Sequence, residues 1–71
     1  MTKDDVEYVT AIIGALSLKL GRQCSSIYKS LKDAGLIDNY LVKCHDVLHT
    51  FSLDYVADDI ITLMDKKGLA I

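Results

Sequence analysis

The stretch Asp38–Tyr55, DNYLVKCHDVLHTFSLDY, decides the fold, because it contains the clearest boundary between two helices in the chain. Before that boundary, apolar residues recur at spacings of four, three and four, which places them on one helical face. These residues are Ile37, Leu41, Cys44 and Leu48. Asp38 is placed to cap this helix, because its carboxylate can accept from the free amides of the first turn. The spacing predicts a helix from about Asp38 to His49.

The following residues predict a second helix with a defined start. Ser52 is a typical N-cap, and Phe51 before it and Val56 after it are spaced to form a hydrophobic staple. The inward-facing residues of this helix are predicted to be Leu53, Val56, Ile60, Leu63 and Met64. Gly68 is expected to end it, with Leu69 folding back toward Met64.

Two further helices are predicted upstream of the opening stretch. The first runs from Thr2, as its cap with Asp5 as the capping-box partner, to Gly21. Its apolar seam is Val6, Val9, Ile13, Leu16 and Leu20. The second is expected to be capped by Ser25 or Ser26 and to stop at Gly35. Every boundary has its own chemical cause and no strand pattern is present. The sequence therefore predicts an all-α fold, a small bundle of about four short helices.

Length and composition limit the class of protein. The chain has 71 residues, 51% of them hydrophobic, no proline and a net charge of −2, which is compatible with one helical domain over residues 1–71 and a marginal core. The acidic balance argues against general affinity for nucleic acid or anionic membranes. No apolar run approaches the ~20 residues of a membrane-spanning helix, and the N-terminal residues do not resemble a targeting segment. Two cysteines form no disulfide framework, so a cytoplasmic location is expected.

Four segments of the chain carry a resemblance to a known family. They are Gly35–Tyr40 (GLIDNY), Cys44–Thr50 (CHDVLHT), Asp54–Ile60 (DYVADDI) and Lys66–Gly68 (KKG). Together they resemble a family of short bacterial proteins named domain of unknown function 3791, over nearly the whole chain. His45 stands where the family tends to have tyrosine, and Phe51-Ser52 replaces a polar residue and glycine. The family has no agreed activity. Some members resemble small partners of ADP-ribosyltransferase-like toxins, so the resemblance implies an antitoxin or accessory role.

His45 and His49 are the candidate metal ligands, because a spacing of four on a helix lets two imidazoles coordinate the same ion. A catalytic zinc site needs a third ligand and an open position, which are hard to find in so short a chain. The simpler interpretation places His49 on the free carbonyls at a helix end and His45 at the surface. The sequence therefore predicts no metal and no other cofactor.

The remaining residues offer little support for catalysis. Cys24 and Cys44 could act as a redox pair, but no Cys-X-X-Cys or cationic cluster activates them, and two small core hydrophobes are the simpler interpretation. No glycine-rich phosphate loop or acid–base carboxylate pair is present, so the chain is predicted not to be an enzyme. The second and third helices, joined through Gly35, resemble a helix-turn-helix. Leu31 is too large for close helix crossing there, and basic side chains for phosphate contacts are few.

An interaction module fits the sequence best. The first helix is apolar over more of its circumference than a small bundle requires, and Gly14 inside it suggests that another backbone comes close. The candidate interaction residues are Tyr8, Ile12, Tyr40, Tyr55, Asp54 and Asp58, combining tyrosine anchors with carboxylates that suit a basic partner. We therefore predict a non-enzymatic interaction or regulatory module with a protein partner, and a homodimer is compatible with the same residues. The alternatives are a helix-turn-helix DNA-binding protein and a small metal-binding protein.

Overall fold

A computed structural model describes residues 2–69, in which every regular element is helical. The elements are α1 (Lys3–Leu20), α2 (Cys24–Asp33), a π-helical segment (Ile37–Val42, the π segment), α3 (His45–Leu48) and α4 (Leu53–Lys66). The prediction of an all-α small bundle is confirmed. The two ends of the predicted domain, residues 1 and 70–71, lie outside the described range. No described helix has the length and apolarity needed to cross a bilayer.

Helix α1 is central, because α2, α4 and the π segment all pack against it. Its start is the predicted capping box: the Asp5 amide donates to the Thr2 hydroxyl at 3.2 Å, and the Thr2 amide donates to the Asp5 carboxylate at 3.0 Å. Gly21 ends it in a left-handed conformation with a φ of 63°, which a side chain with a Cβ would disfavour. Both predicted ends of the first helix are confirmed.

The described residues share one core, and its members come from every element. The buried apolar residues are Val9, Ile12, Ile13, Leu16, Ile27, Leu31, Leu36, Ile37, Leu41, Leu48, Val56, Ala57, Ile60 and Met64. The predicted seam of α1 is correct at its centre and wrong at Val6 and Leu20, which are exposed. At 1.5 Å per residue, α1 is about 27 Å long, and its 18 residues extend past the 10 of α2 and the 14 of α4 that cover it.

The prediction that another backbone approaches Gly14 is wrong. A Cβ built on Gly14 would meet no heavy atom within 4 Å among the described residues. The residue faces open space, so the fold itself gives no reason for glycine at this position.

Helix α2 starts earlier than predicted. Gln23 is its N-cap and makes no side-chain capping bond, and Ser25 and Ser26 lie inside the first turn. This helix end is exposed, so water can satisfy the free amides that a capping side chain would otherwise bind. At the other end, Gly35 has a φ of 77° and its amide donates to the Lys32 carbonyl at 3.0 Å, which confirms Gly35 as the stop.

The predicted third helix is divided into two pieces. The π segment is followed by a break at Lys43 and Cys44 and then by α3. Asp38 is not a cap, because Leu36 precedes the segment and Asp38 lies within its first turn. The predicted face is largely kept: three of its four residues are buried and Cys44 is half-buried. The element after Gly35 therefore differs from the regular α-helix that the helix-turn-helix comparison assumed.

Helix α4 begins where the sequence predicts. The Ser52 hydroxyl accepts from the Tyr55 amide at 3.1 Å. Phe51 stacks on the Tyr55 ring, with centroids 4.9 Å apart, and stays exposed, whereas its predicted staple partner Val56 is fully buried. The prediction that Leu53 faces inward is wrong: the residue is 42% exposed.

The end of α4 is a Schellman motif, as the sequence indicates. The Leu69 amide donates to the Met64 carbonyl at 2.9 Å, and the Gly68 amide donates to the Asp65 carbonyl at 3.0 Å. Gly68 has the left-handed φ, 70°, that this motif requires.

Candidate functional site

A groove of about 720 Å³ runs between α1 and the start of α4, here called the α1–α4 groove. Its lining residues are Ala11, Gly14, Ala15, Leu18, Lys19, Ser52, Leu53 and Asp54. Gly14 and Ala15 lie three and four residues after Ala11, so the three small residues share one side of α1. Because their side chains are short, the backbone of α1 is accessible along the groove.

The groove has apolar side chains that no described residue covers. Leu18 is 89% exposed, and Leu53 across the groove is 42% exposed. On either side of Leu53 in the chain, Phe51 and Tyr55 are 44% and 59% exposed and stack on each other. Tyr55 lies two residues after Leu53 on α4, about 200° around the helix, so the aromatic pair lies outside the groove, whereas Leu18 and Leu53 both line it. Single exposed apolar residues are ordinary, so the leucine pair is the feature of interest.

Charged side chains flank this apolar surface. The Lys19 ammonium lies 3.3 Å from the Asp58 carboxylate and 3.5 Å from that of Asp54. The hydrogen bond to Asp58 and the attraction of both carboxylates raise the pKa of Lys19. Two carboxylates against one ammonium leave this edge negative. Exposed ion pairs of this kind stabilise a fold only weakly, so a partner can rearrange them at little cost.

A second polar cluster joins the start of α1 to α3. The Nδ1 atom of His45 lies 2.7 Å from the Asp5 carboxylate, and the His45 ring stacks on Tyr8 with centroids 4.5 Å apart and an interplanar angle of 18°. The hydrogen bond from the Thr2 backbone, followed by that from His45, lowers the pKa of Asp5 to about 2. Asp5 is therefore ionised at neutral pH and accepts, so the His45 Nδ1 carries the donated proton.

His49 lies next to His45 on the same side of α3. Its Nδ1 donates to the His45 backbone carbonyl at 2.9 Å, which confirms the sequence interpretation that His49 binds carbonyls at a helix end. The two rings meet edge to face, with centroids 5.8 Å apart and an interplanar angle of 87°. Within residues 2–69, no group of three or more metal-ligating side chains is arranged to hold an ion.

The tyrosines near the core are held by the fold. The Tyr40 hydroxyl donates to the Asp59 carboxylate; desolvation, and then the neighbouring Asp59, raise the pKa of Tyr40. The Tyr8 hydroxyl is buried and finds no hydrogen-bond partner among the described residues, and burial raises the pKa of Tyr8. Both side chains are partly buried, so they stabilise the bundle more than they offer anchors to a partner.

The predicted interaction residues therefore separate into three groups. Ile12 is fully buried, so its prediction as an interface residue is corrected: it belongs to the core. Tyr8 and Tyr40 face other parts of the chain. The remaining three, Tyr55, Asp54 and Asp58, are exposed on α4, where Asp54 lines the groove and Asp58 shares its Lys19 partner.

Sequence reasoning missed other residues of these surfaces. Leu18 lies off the predicted seam of α1, which was the available signal that this leucine faces away from the core. The pairing of Asp5 with His45 gave no signal, because the two residues are 40 positions apart. Both cysteines are free; Cys44 is half-buried, as a core interpretation requires, but Cys24 is exposed, so that interpretation is wrong for Cys24.

Comparisons with known proteins give one finding. A family model described as a protein of unknown function (DUF3791) matches residues 7–67. No curated protein and no solved structure matches the chain. The matched range includes the whole α1–α4 groove and both histidines, and it starts two residues after Asp5.

Proposed function

The chain belongs to the family of proteins of unknown function DUF3791, and we propose that it is a non-enzymatic interaction module whose α1–α4 groove receives an amphipathic helix of a protein partner. The observation that carries this proposal is the exposure of Leu18 on α1 and Leu53 on α4, which line one groove together with the small residues of α1. Insertion of a helix into such a groove is a recurring mode of recognition.

The small floor supports a helix as the occupant. Packed helices lie 8–10 Å apart depending on the side chains at the contact. Ala11, Gly14 and Ala15 have the smallest side chains, so the axis of a partner helix could lie at the short end of that distance range from α1. Apolar side chains of the partner would then pack against Leu18 and Leu53.

Charge favours a partner with basic residues over a second copy of the chain. Asp54 and Asp58 outnumber Lys19 beside the groove, and the whole chain carries a net charge of −2. A second copy would bring more negative charge to this edge, whereas lysines or arginines flanking a partner helix would complement it. An antitoxin-like role beside a neighbouring toxin, which the family resemblance implies, is one form of this proposal.

The test uses an aliphatic photo-crosslinking residue at Leu53, which lines the groove and is 42% exposed, in the native host, followed by identification of the captured protein. The Leu18→Glu variant is compared with Val47→Glu, because Val47 is also an exposed aliphatic residue, 62% exposed, but lies on α3 outside the groove. We expect Leu18→Glu to reduce capture of the wild-type partner at least tenfold and Val47→Glu to leave it unchanged.

Equal capture by both variants, or equal loss, would contradict the proposal. Light scattering of the purified wild-type chain tests the competing occupant: a dimer that Leu18→Glu dissociates and Val47→Glu does not would assign the groove to a second copy.

A further inference from the structure

His45 begins α3 and His49 is its C-cap, and the Nδ1 atom of each ring has the kind of acceptor that the Nδ1 of a metal-binding histidine has. Each Nδ1 donates to a fixed acceptor: the Asp5 carboxylate at 2.7 Å for His45, and the His45 backbone carbonyl at 2.9 Å for His49. A metal-ligating histidine almost always donates its other ring N–H to a carboxylate or a backbone carbonyl, which fixes its tautomer and its orientation. Both kinds of acceptor are present here, one for each ring.

The tautomers that follow leave the Nε2 lone pairs available. With Nδ1 protonated, the neutral imidazole presents Nε2 as an acceptor or a ligand. Neither Nε2 makes a hydrogen bond to another part of the described chain. The stacking of His45 on Tyr8 holds that ring in place, so one of the two ligands is restrained before an ion arrives.

The surroundings favour a cation. The two rings border a depression of about 480 Å³, and its other lining residues are Asp4, Glu7, Tyr8 and Asp46. Three of these are carboxylates and none is lysine or arginine. Imidazole nitrogen suits zinc, copper and nickel, and carboxylate oxygen is a common further ligand for zinc.

We propose that His45 and His49 chelate one divalent zinc-like ion through their Nε2 atoms. Water completes the coordination, or the Glu7 carboxylate does so after rotation of this exposed side chain. Asp5 is a positioning residue, since it orients His45 and does not touch the ion. The site shares no residue with the lining of the α1–α4 groove, so zinc binding can be tested independently of the proposed interaction.

The test titrates the full chain with Zn²⁺ by isothermal titration calorimetry in a buffer that does not chelate. We expect one saturable site per chain and at least tenfold weaker binding by His49→Gln. His49 is exposed, so this variant should keep the fold, which circular dichroism checks. Asp5→Asn should weaken binding by about tenfold, the lower end of the effect of removing an orienting partner.

The control is Cys24→Ala, because thiols are strong zinc ligands and Cys24 is the more exposed of the two free cysteines. Binding by this variant should equal that of the wild type. Nitrogen-15 spectra of the histidine rings should show Nε2 shifting with zinc while Nδ1 keeps its proton. The absence of saturable binding, or loss in Cys24→Ala with no effect in His49→Gln, would overturn the proposal.

Discussion

Replacement of Gly14 by alanine should stabilise the protein. Gly14 lies in the interior of α1, and a Cβ built there meets no heavy atom within 4 Å among the described residues. Alanine in a helix interior is favoured over glycine by ~0.5–1 kcal/mol, because glycine loses more backbone entropy on folding. Since no close contact opposes the added methyl group, we expect the free energy of unfolding to rise by that amount.

The corresponding change in melting temperature follows from the size of the chain. An unfolding entropy of ~2.1 cal/mol/K per residue gives about 150 cal/mol/K for the 71 residues. The expected increase in the free energy of unfolding then raises the melting temperature by about 3–7 °C. Thermal unfolding followed by circular dichroism resolves such a shift, and urea unfolding at 25 °C gives the free energy independently.

Gly35→Ala is the matched control. Gly35 has a φ of 77°, and an added Cβ would lie 3.2 Å from the side-chain Nδ2 atom of Asn39. A left-handed conformation costs a non-glycine residue ~1–2 kcal/mol, so this variant should be destabilised. The same chemical change is thus expected to have opposite signs at the two positions.

A lower melting temperature for Gly14→Ala would refute this reasoning, because it would mean that the floor of the groove is already in contact with something. If that loss grew with protein concentration, the contact would be a second copy of the chain. In the proposed interaction, Gly14→Ala should instead fold better and bind the partner helix less well, since the methyl group occupies the closest point of approach.

Three other substitutions test the core, the hydrogen bonds of the Asp5 carboxylate and the hydrogen bond between Tyr40 and Asp59. Leu16→Ala removes a fully buried side chain and should cost ~2–5 kcal/mol, measured by urea unfolding; a loss below ~1 kcal/mol would contradict its burial. The pKa of Asp5 is lowered from 3.8 to about 2, so the wild type should lose the contribution of Asp5 as the pH falls from about 4 to 2, and Asp5→Asn should show a shallower acid dependence in the same unfolding series. The pKa of Tyr40 is raised by desolvation and by Asp59, so above the unfolded value of ~10 the unfolded state loses its proton first and stability falls. Tyr40→Phe should cost ~1–2 kcal/mol at pH 7, and its deficit relative to the wild type should shrink as the pH rises above ~10; a constant deficit would contradict the assignment.

The helix ends could be predicted because short-range chemistry decides them. A cap such as Thr2 or Ser52 binds an amide three residues away, and a left-handed glycine such as Gly21 or Gly68 acts within its own turn. No information about the remainder of the chain is needed. These four boundaries are correct for that reason.

The path between Gly35 and Ser52 could not be predicted in the same way. A spacing of four places Ile37 and Leu41 on one face in an α-helix, and both are buried in the π segment as well. Periodicity therefore does not distinguish the two helix types. The structure makes the choice through packing of the π segment against α1 and α2, which a local pattern does not contain.

The surfaces were harder to predict than the core. Leucine is ordinarily assigned to the interior, and only the rotation of α4 against α1 shows that Leu53 faces the groove. The contact between Asp5 and His45 was hidden because each residue already had a sufficient local role. Asp5 was expected to complete a capping box, which it does, and its second carboxylate oxygen binds His45.

Gly14 is the position where the sequence and the fold disagree most clearly. The other three glycines all have a left-handed φ, so the backbone explains them. Gly14 lies in a regular helix with open space beside it, where alanine would give a more stable chain. A residue that weakens its own helix with no compensating contact in the fold is expected at a functional surface. The open side of Gly14 is the floor of the α1–α4 groove, so in the proposed interaction the partner helix would supply the compensating contact.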